Sequence, residues 1–417
     1  MNKTRIMLLV FYMILTLFST ALAGRRPNSE LQQCRDDNNK PVDWYVLYKL
    51  PKVAQSSNPL LKQGVAYLYI TSDTIKKGWQ LSNWDIRGQN STPANTLAPL
   101  YDDETSNNKM WVLYSDNPPN GQANGKYGHA KGVVLADRLE GFWLIHSVPN
   151  FPPVPNGGES RPKRNSRANS TLANDVDSIT AGLAALSISE GEYDYPSSGQ
   201  NYGQSFLCIS LKGDQFDVIA KQLMYNQIIV YRRNLPDALV KLYPTLADAM
   251  NQVRIKQAPY MNKAVIRSRN SVEFTSFAKS DKWQKDLYDD FVAPQLETDL
   301  LTETWLNGRG KLPSDCTGAK VYNIESIQLG QPVNVSFKSS QDHSKWAVAL
   351  DDKSNSSWVC VGDINRADTQ YNRGGGTVCL NSEYVWNNYR SSINEIEPCP
   401  RKQYSYSNAI YNSAILV

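Results

Sequence analysis

The chain repeats one pattern, and that repetition limits what it can fold into more than any other feature. Its three histidines are His129, His146 and His343, and two stand in the same frame, His129-Ala130-Lys131 and His343-Ser344-Lys345. Behind the first come Gly132-Val133-Val134-Leu135-Ala136, a polar turn and Gly141-Phe142-Trp143-Leu144-Ile145. Behind the second come Trp346-Ala347-Val348-Ala349-Leu350, a polar turn over 351–357 and Trp358-Val359-Cys360-Val361. Each copy reads as strand, turn, strand and a loop that reaches an asparagine, Asn150 or Asn365. A tryptophan lies seven residues before each asparagine, and the His-to-Asn separations are 21 and 22 residues. Alternate side chains of a strand share a face, so His-x-Lys on a strand sets an imidazole beside an ammonium group, toward one ligand. We read the pair as a degenerate duplication of one catalytic half-site.

The ends and the composition narrow the setting. Lys3 and Arg5, an apolar run from Ile6 to Phe18 and Ala21-Leu22-Ala23 make residues 1–23 a secretory signal peptide. No later segment has the ~20 apolar residues that a membrane span needs. The remaining 394 residues suit two lobes, 24–212 and 213–417, better than one ordinary core. Formal charge falls from +4 to +2 when Lys3 and Arg5 are removed, so no overall basic field draws in a polyanion; such attraction has to be local. Six cysteines, Cys34, Cys208, Cys316, Cys360, Cys379 and Cys399, with no Cys-x-x-Cys, favour disulfides over a thiolate metal site. Sequons at Asn90, Asn169, Asn334 and Asn355 offer glycosylation sites.

Along the chain, strands are expected over 41–50, 64–70, 110–115, 203–211, 321–327 and 333–337. Helical spacing appears over 214–224 and 236–255, and again over 271–290, where Phe274, Phe277, Trp283 and Tyr288 recur. Residues 155–195 are rich in Ser, Asn, Gly and charge, hold the basic knot Arg161-Pro162-Lys163-Arg164 and offer little to bury. A mobile surface insertion is expected there, with a short helix over 178–189.

Several ordered blocks resemble the deoxyribonuclease II family. They are Pro41-Val-Asp-Trp44, Tyr48-Lys-Leu-Pro51, Gly128-His-Ala-Lys-Gly132, Gly141 to Pro153, Gly203-Gln204, Leu207-Cys208, Asp342-His-Ser-Lys-Trp346, Cys360 to Arg366 and Arg373-Gly-Gly-Gly-Thr377. The likeness runs from about Cys34 to Cys399, with the stretch near 155–195 longer than the family pattern. That family in turn resembles the phospholipase D superfamily. The resemblance implies a mixed α+β, phospholipase D-like pseudo-dimer in which each lobe, a β-sheet flanked by helices, lends a His-x-Lys half-site to one cleft. It implies an acid endonuclease that needs no metal or other cofactor, leaves 3′-phosphates on DNA and works in lysosomes or after secretion. It also implies the disulfides Cys34–Cys208, Cys316–Cys399 and Cys360–Cys379.

The chemistry follows from the residue types. Attack on a phosphodiester builds negative charge on the equatorial oxygens, which Lys131, Lys345, Asn150 and Asn365 would stabilise where it develops. One histidine attacks phosphorus as a neutral imidazole, and the other protonates the leaving oxygen and then activates water. We assign His129 as nucleophile and His343 as acid/base, although the repeat makes the roles interchangeable. His146 has no His-x-Lys partner; it orients a loop or touches DNA. Arg373 with Gly374-Gly375-Gly376 either binds substrate phosphate or makes a tight turn. No metal-ligand motif appears. The competing functions are a phosphodiesterase acting on lipid head groups and a secreted DNA-binding protein without catalysis; the intact His, Lys and Asn pairs argue against the latter.

Overall fold

A computed structural model of the chain describes residues 31–102, 107–156, 159–160, 191–351 and 356–400. The signal peptide, the basic knot, the helix expected over 178–189, and the sequons at Asn169 and Asn355 lie outside the described residues. Asn90 and Asn334 are both exposed.

Among the described residues, two nine-stranded sheets make a mixed α+β fold with few helices. The first contains β1 (Trp44–Lys49), β2 (Tyr67–Thr71), β3 (Gln80–Leu81), β4 (Met110–Ser115), β5 (Lys131–Ala136), β6 (Glu140–His146), β7 (Glu159–Ser160), β8 (Gln204–Lys212) and β9 (Val230–Asn234). Their spatial order is β3-β2-β1-β8-β6-β5-β4-β9-β7. The second contains β10 (Met261–Arg267), β11 (Glu273–Lys279), β12 (Leu300–Glu303), β13 (Val321–Leu329), β14 (Val335–Lys338), β15 (Trp346–Ala349), β16 (Trp358–Gly362), β17 (Gly375–Asn381) and β18 (Ile393–Ile396). Here the order is β10-β11-β17-β16-β15-β12-β13-β14, with β18 also on β13. β12–β13 is parallel. The run β4-β5-β6-β8 is matched by β12-β15-β16-β17, antiparallel throughout in both. β9 follows residue 212 yet joins the first sheet, so sheet membership changes after Asn234.

The period-2 pattern explains the layers. On β1, Trp44, Val46 and Tyr48 enter a central core, whereas Tyr45 and Leu47 enter an outer cluster. On β16, Val359 and Val361 face the central core and Cys360 faces another outer cluster. The central core takes one face of each sheet, and ring contacts such as Trp44–Phe274 (6.3 Å) and Tyr48–Trp346 (6.4 Å) cross it.

That layering corrects one expectation. Residues 273–279 form β11 rather than part of a helix. Phe274 points into the central core and Phe277 into the outer cluster, so both faces of this strand are covered. Apolar residues on both faces of a buried strand fall at i and i+3 and imitate helical spacing. The helical stretch over 236–255 is real but broken: Asp237–Leu242 and Pro244–Met250 are separate helices, because Pro244 cannot donate inside a continuous one.

Cys34–Cys208, Cys316–Cys399 and Cys360–Cys379 are disulfides, the pairs that the resemblance implies. By loop closure the first, spanning 174 residues, stabilises most, roughly 5 kcal/mol against roughly 3 kcal/mol for the 19-residue loop. It pins the start of the compact unit to the middle of β8. Among the described residues no helix is long and apolar enough to cross a membrane.

Candidate active site

Lys131 opens β5 and Lys345 immediately precedes β15, while His129 and His343 lie in the extended segments that lead into those strands. The reason is that their hydrogen bonds go across to the other half of the chain. The His129 N–H donates to the Gly374 carbonyl at 2.8 Å, and the His343 N–H donates to the Gly203 carbonyl at 2.9 Å. A strand neighbour would have taken those donors; here the opposite half takes them.

The side chains cross in the same way. His129 Nδ1 bonds to the Asp363 carbonyl, which is in the second half. His343 Nδ1 lies 3.1 Å from the Ser147 carbonyl and 3.2 Å from Gln204 Oε1, both in the first half. Oxygens of carbonyl and amide groups only accept, so Nδ1 carries the proton in each ring. The lone pair of each neutral imidazole is therefore on Nε2. The Lys345 N–H donates to Ser205 Oγ at 3.1 Å, and Ser205 N–H donates to Ser147 Oγ at 2.9 Å, which ties the second motif to the start of β8. Asp342, fully buried and bonded to Tyr48 Oη, accepts from Ser344 N–H at 2.9 Å and Ser344 Oγ at 2.8 Å and so fixes the turn around His343.

One carboxylate was not foreseen. Asp116, just past β4, bonds to Lys131 Nζ, lies 3.9 Å from His129 Nε2 and accepts from Arg373 Nη2 at 3.0 Å. Burial would raise its pKa, but Lys131, then His129 and Arg373, more than offset that and hold the carboxyl well below the usual range. Register could have flagged it: Ser115 pairs with Lys131 across β4 and β5, so the next residue of β4's exit stands beside the motif.

Both motif histidines are held well below the ordinary imidazole pKa. For His129 the causes are burial, then Lys131, with Asp116 opposing and Arg373 and Lys345 adding to the depression. For His343 they are burial, then Lys345, Lys131 and His129, with Asp116 opposing. Each motif thus feels the charges of the other. Lys345, fully buried and bonded to the His343 carbonyl, is pushed well below a normal lysine by burial and then by Lys131. Burial pushes Asp363 up to about 7, against the hydrogen bond from Gly376 N–H at 3.1 Å.

The remaining expected site residues differ in placement. Asn365 accepts from Trp305 N–H at 3.3 Å through Oδ1, and its Nδ2 donates to no described residue. Asn150, in the left-handed region that Asn tolerates, spends its Nδ2 on Asn117 Oδ1 at 3.2 Å and the Pro118 carbonyl at 3.0 Å. His146 is fully buried between Phe151 and Phe206, with burial and Lys131 lowering it to about 3; Val148 N–H donates to its Nδ1 at 3.2 Å. It orients the loop toward Asn150. Arg373 is also buried, and its Nη2 and Nε reach the carbonyls of Asn124, Gly128 and Tyr127 at 2.9–3.0 Å as well as Asp116. It clamps the entry to the first motif. The Gly374 carbonyl accepts from His129 N–H and Gly376 N–H donates to Asp363, and Gly375 and Gly376 open β17 rather than make a tight turn.

Gly128 shows how close this crossing is. A Cβ there would lie 1.9 Å from the Asn226 carbonyl, and one at Gly374 would lie 2.5 Å from the same oxygen. Both backbones are seated on the end of the helix Phe216–Asn226. Gly128→Ala is expected to cost about 1–3 kcal/mol as overpacking and to displace His129. Thermal unfolding and activity measured on one preparation check it; an unchanged melting temperature would contradict the contact.

Among the described residues no group of three or more His, Cys, Asp or Glu is placed to hold a metal ion. Comparison with known proteins gives a consistent picture. The family model described as Deoxyribonuclease II matches residues 33–399. Plancitoxin-1 of Acanthaster planci is 34% identical over 391 residues, 93% of this chain and 97% of that protein. Deoxyribonuclease-2-alpha of Rattus norvegicus is 34% identical over 375 residues, 89% of this chain and 95% of its own length. Deoxyribonuclease-2-beta of Homo sapiens is 32% identical over 370 residues, 88% and 91% respectively.

Proposed function

The chain belongs to the deoxyribonuclease II family, and from that premise we propose that it is an endodeoxyribonuclease whose two His-x-Lys motifs form one metal-independent active centre. The observation that carries this reading is the reciprocal crossing: each imidazole has its Nδ1 held by the opposite half, which leaves both Nε2 atoms for chemistry. On this reading the two sheets, with β9 in the first, are the lobes of a phospholipase D-like pseudo-dimer, and neither lobe orients its own histidine.

His129 Nε2 attacks phosphorus, the N–P bond forms and the P–O5′ bond breaks. The His343 imidazolium gives its proton to the departing O5′. His343, now neutral, takes a proton from water; the hydroxide attacks phosphorus, the N–P bond breaks, and a 3′-phosphate leaves. Lys131 and Lys345 supply the positive charge, and Asn365 Nδ2 adds a donor. Asn150 contributes once its amide exchanges Asn117 and Pro118 for a phosphate oxygen. Six cysteines in disulfides suit an oxidising compartment, and we place the enzyme in lysosomes or outside the cell, degrading DNA of dead or engulfed cells.

The pH dependence follows from sign. Burial and the lysines depress His343 in the unliganded protein, so the imidazolium that protonates O5′ is scarce near neutrality. Bound phosphate supports it, but not beyond the reach of acid pH. Plasmid nicking is expected to proceed in EDTA at about pH 5 and to fall steadily as pH rises toward 7. The products should resist polymerase extension until a phosphatase removes the 3′-phosphate. A flat profile from mildly acid to mildly alkaline pH would defeat the scheme; release of choline from phosphatidylcholine without nicks would favour a lipid phosphodiesterase, and DNA binding without cleavage an inactive binder.

A further inference from the structure

Two aromatic rings, one from each half of the chain, meet beside His343. Trp305 follows the end of β12, and its ring centroid lies 5.1 Å from the His343 ring at 68°. Tyr202 precedes β8 and lies 4.7 Å from Trp305 at 85°. The backbone around each ring is held: Trp305 N–H bonds to Asn365, Asn307 Nδ2 donates to the Ser340 carbonyl at 2.7 Å, and Gly203 N–H donates to the Gln341 carbonyl at 3.0 Å. Yet Tyr202 is 37% exposed and Trp305 half-buried. Aromatic surface open to water on a fixed backbone, next to an imidazole that protonates a leaving nucleoside oxygen, presents a rigid π-face to whatever enters the site.

We propose that Trp305 and Tyr202 form a stacking platform for the nucleobase adjacent to the scissile phosphate. The proposal rests on the active centre assigned above and adds the substrate's base to it. Every base has a π-face, so such a platform strengthens binding without selecting sequence, and alanine substitution of such a ring costs roughly 5- to 150-fold. A base seated there has left the duplex stack, so the enzyme takes deformable or single-stranded steps first.

The test uses the full processed protein and oligonucleotides with one cleavable phosphodiester among phosphorothioates. The residue on one or the other side of that bond is either a normal nucleotide or a tetrahydrofuran abasic analogue. Wild type should lose roughly 5- to 150-fold in kcat/KM when the base is missing on one particular side. Trp305→Ala should lose a similar factor on the intact substrate and nothing further on the abasic one, and Trp305→Phe should recover part of it. Tyr202→Ala should behave like a weaker Trp305→Ala. If Trp305→Ala slows both substrates by the same factor, the ring only packs His343 and the platform is wrong. Binding of the same oligonucleotides to His129→Ala protein, followed by fluorescence anisotropy, gives a readout that does not need cleavage. Loss of affinity on base removal there, absent from the His129→Ala/Trp305→Ala protein, supports the platform even if the assigned chemistry fails; equal affinity for intact and abasic strands overturns it.

Discussion

His129→Ala is expected to reduce nicking of plasmid DNA by about 10⁴-fold or more, and His343→Ala to do the same on natural substrate. The two losses should separate on thymidine 3′-(p-nitrophenyl phosphate), in which p-nitrophenolate stands where O5′ would leave. That leaving group departs without a proton, so the acid is not needed for the first step and only the nucleophile is. His343→Ala should therefore release p-nitrophenol in a burst and then stall, with phosphate trapped on the protein and recoverable after an alkaline quench. His129→Ala should release almost none. The reverse pattern would exchange the two roles, which the repeat itself leaves symmetric. Nicking within about ten-fold of wild type in either variant would remove the paired imidazoles as an active centre.

How far the site could be seen in advance depends on which bonds hold it. The duplication was legible because it is written locally: each motif, its strand and its Trp-to-Asn spacing lie within about thirty residues, and β5-β6 and β15-β16 form as that spacing requires. What escaped is what depends on contacts between halves. Asp116 is an unremarked carboxylate in sequence and becomes the partner of Lys131 and Arg373 only once β4 lies beside β5. Trp305 is 38 residues from His343 and 103 from Tyr202, and no periodicity joins them. Arg373 with its glycines reads in sequence either as a phosphate site or as a tight turn, but the carbonyls of the chain that enters the first motif surround its guanidinium. Both histidines stand just off the strands for the same reason, since their N–H donors serve the opposite half, whereas Lys131 opens β5 as the strand reading expects. Phe274 and Phe277 misled because both faces of β11 are covered, a fact of the whole fold and not of the segment.

Asp116→Asn is the second large effect, and its sign can be worked out. Asp116 faces Lys131, Arg373 and His129, with Lys345 and Asp363 as the next interacting charges. It is a carboxylate that favours imidazolium at both His129 and His343 while every neighbouring cation opposes it. Asparagine keeps the shape and deletes the charge, so both imidazoles are depressed further. The acid limb, set by the nucleophile becoming neutral, and the alkaline limb, set by the acid losing its proton, should both move to lower pH. At fixed mildly acid pH kcat should fall by about 10²–10³-fold, the size found when one electrostatic partner of a transition state is lost. KM should not rise with it, because Lys131 without its counter-ion holds phosphate more strongly. Leaving two buried cations with one partner fewer should also cost about 3–5 kcal/mol of stability, so rates are compared on protein shown to be folded, and Asp116→Glu should recover part of both. A lower kcat with both limbs unmoved would reduce Asp116 to a scaffold for Arg373. Limbs displaced together, with KM held, would mean that this carboxylate sets the pH at which the two halves act as one.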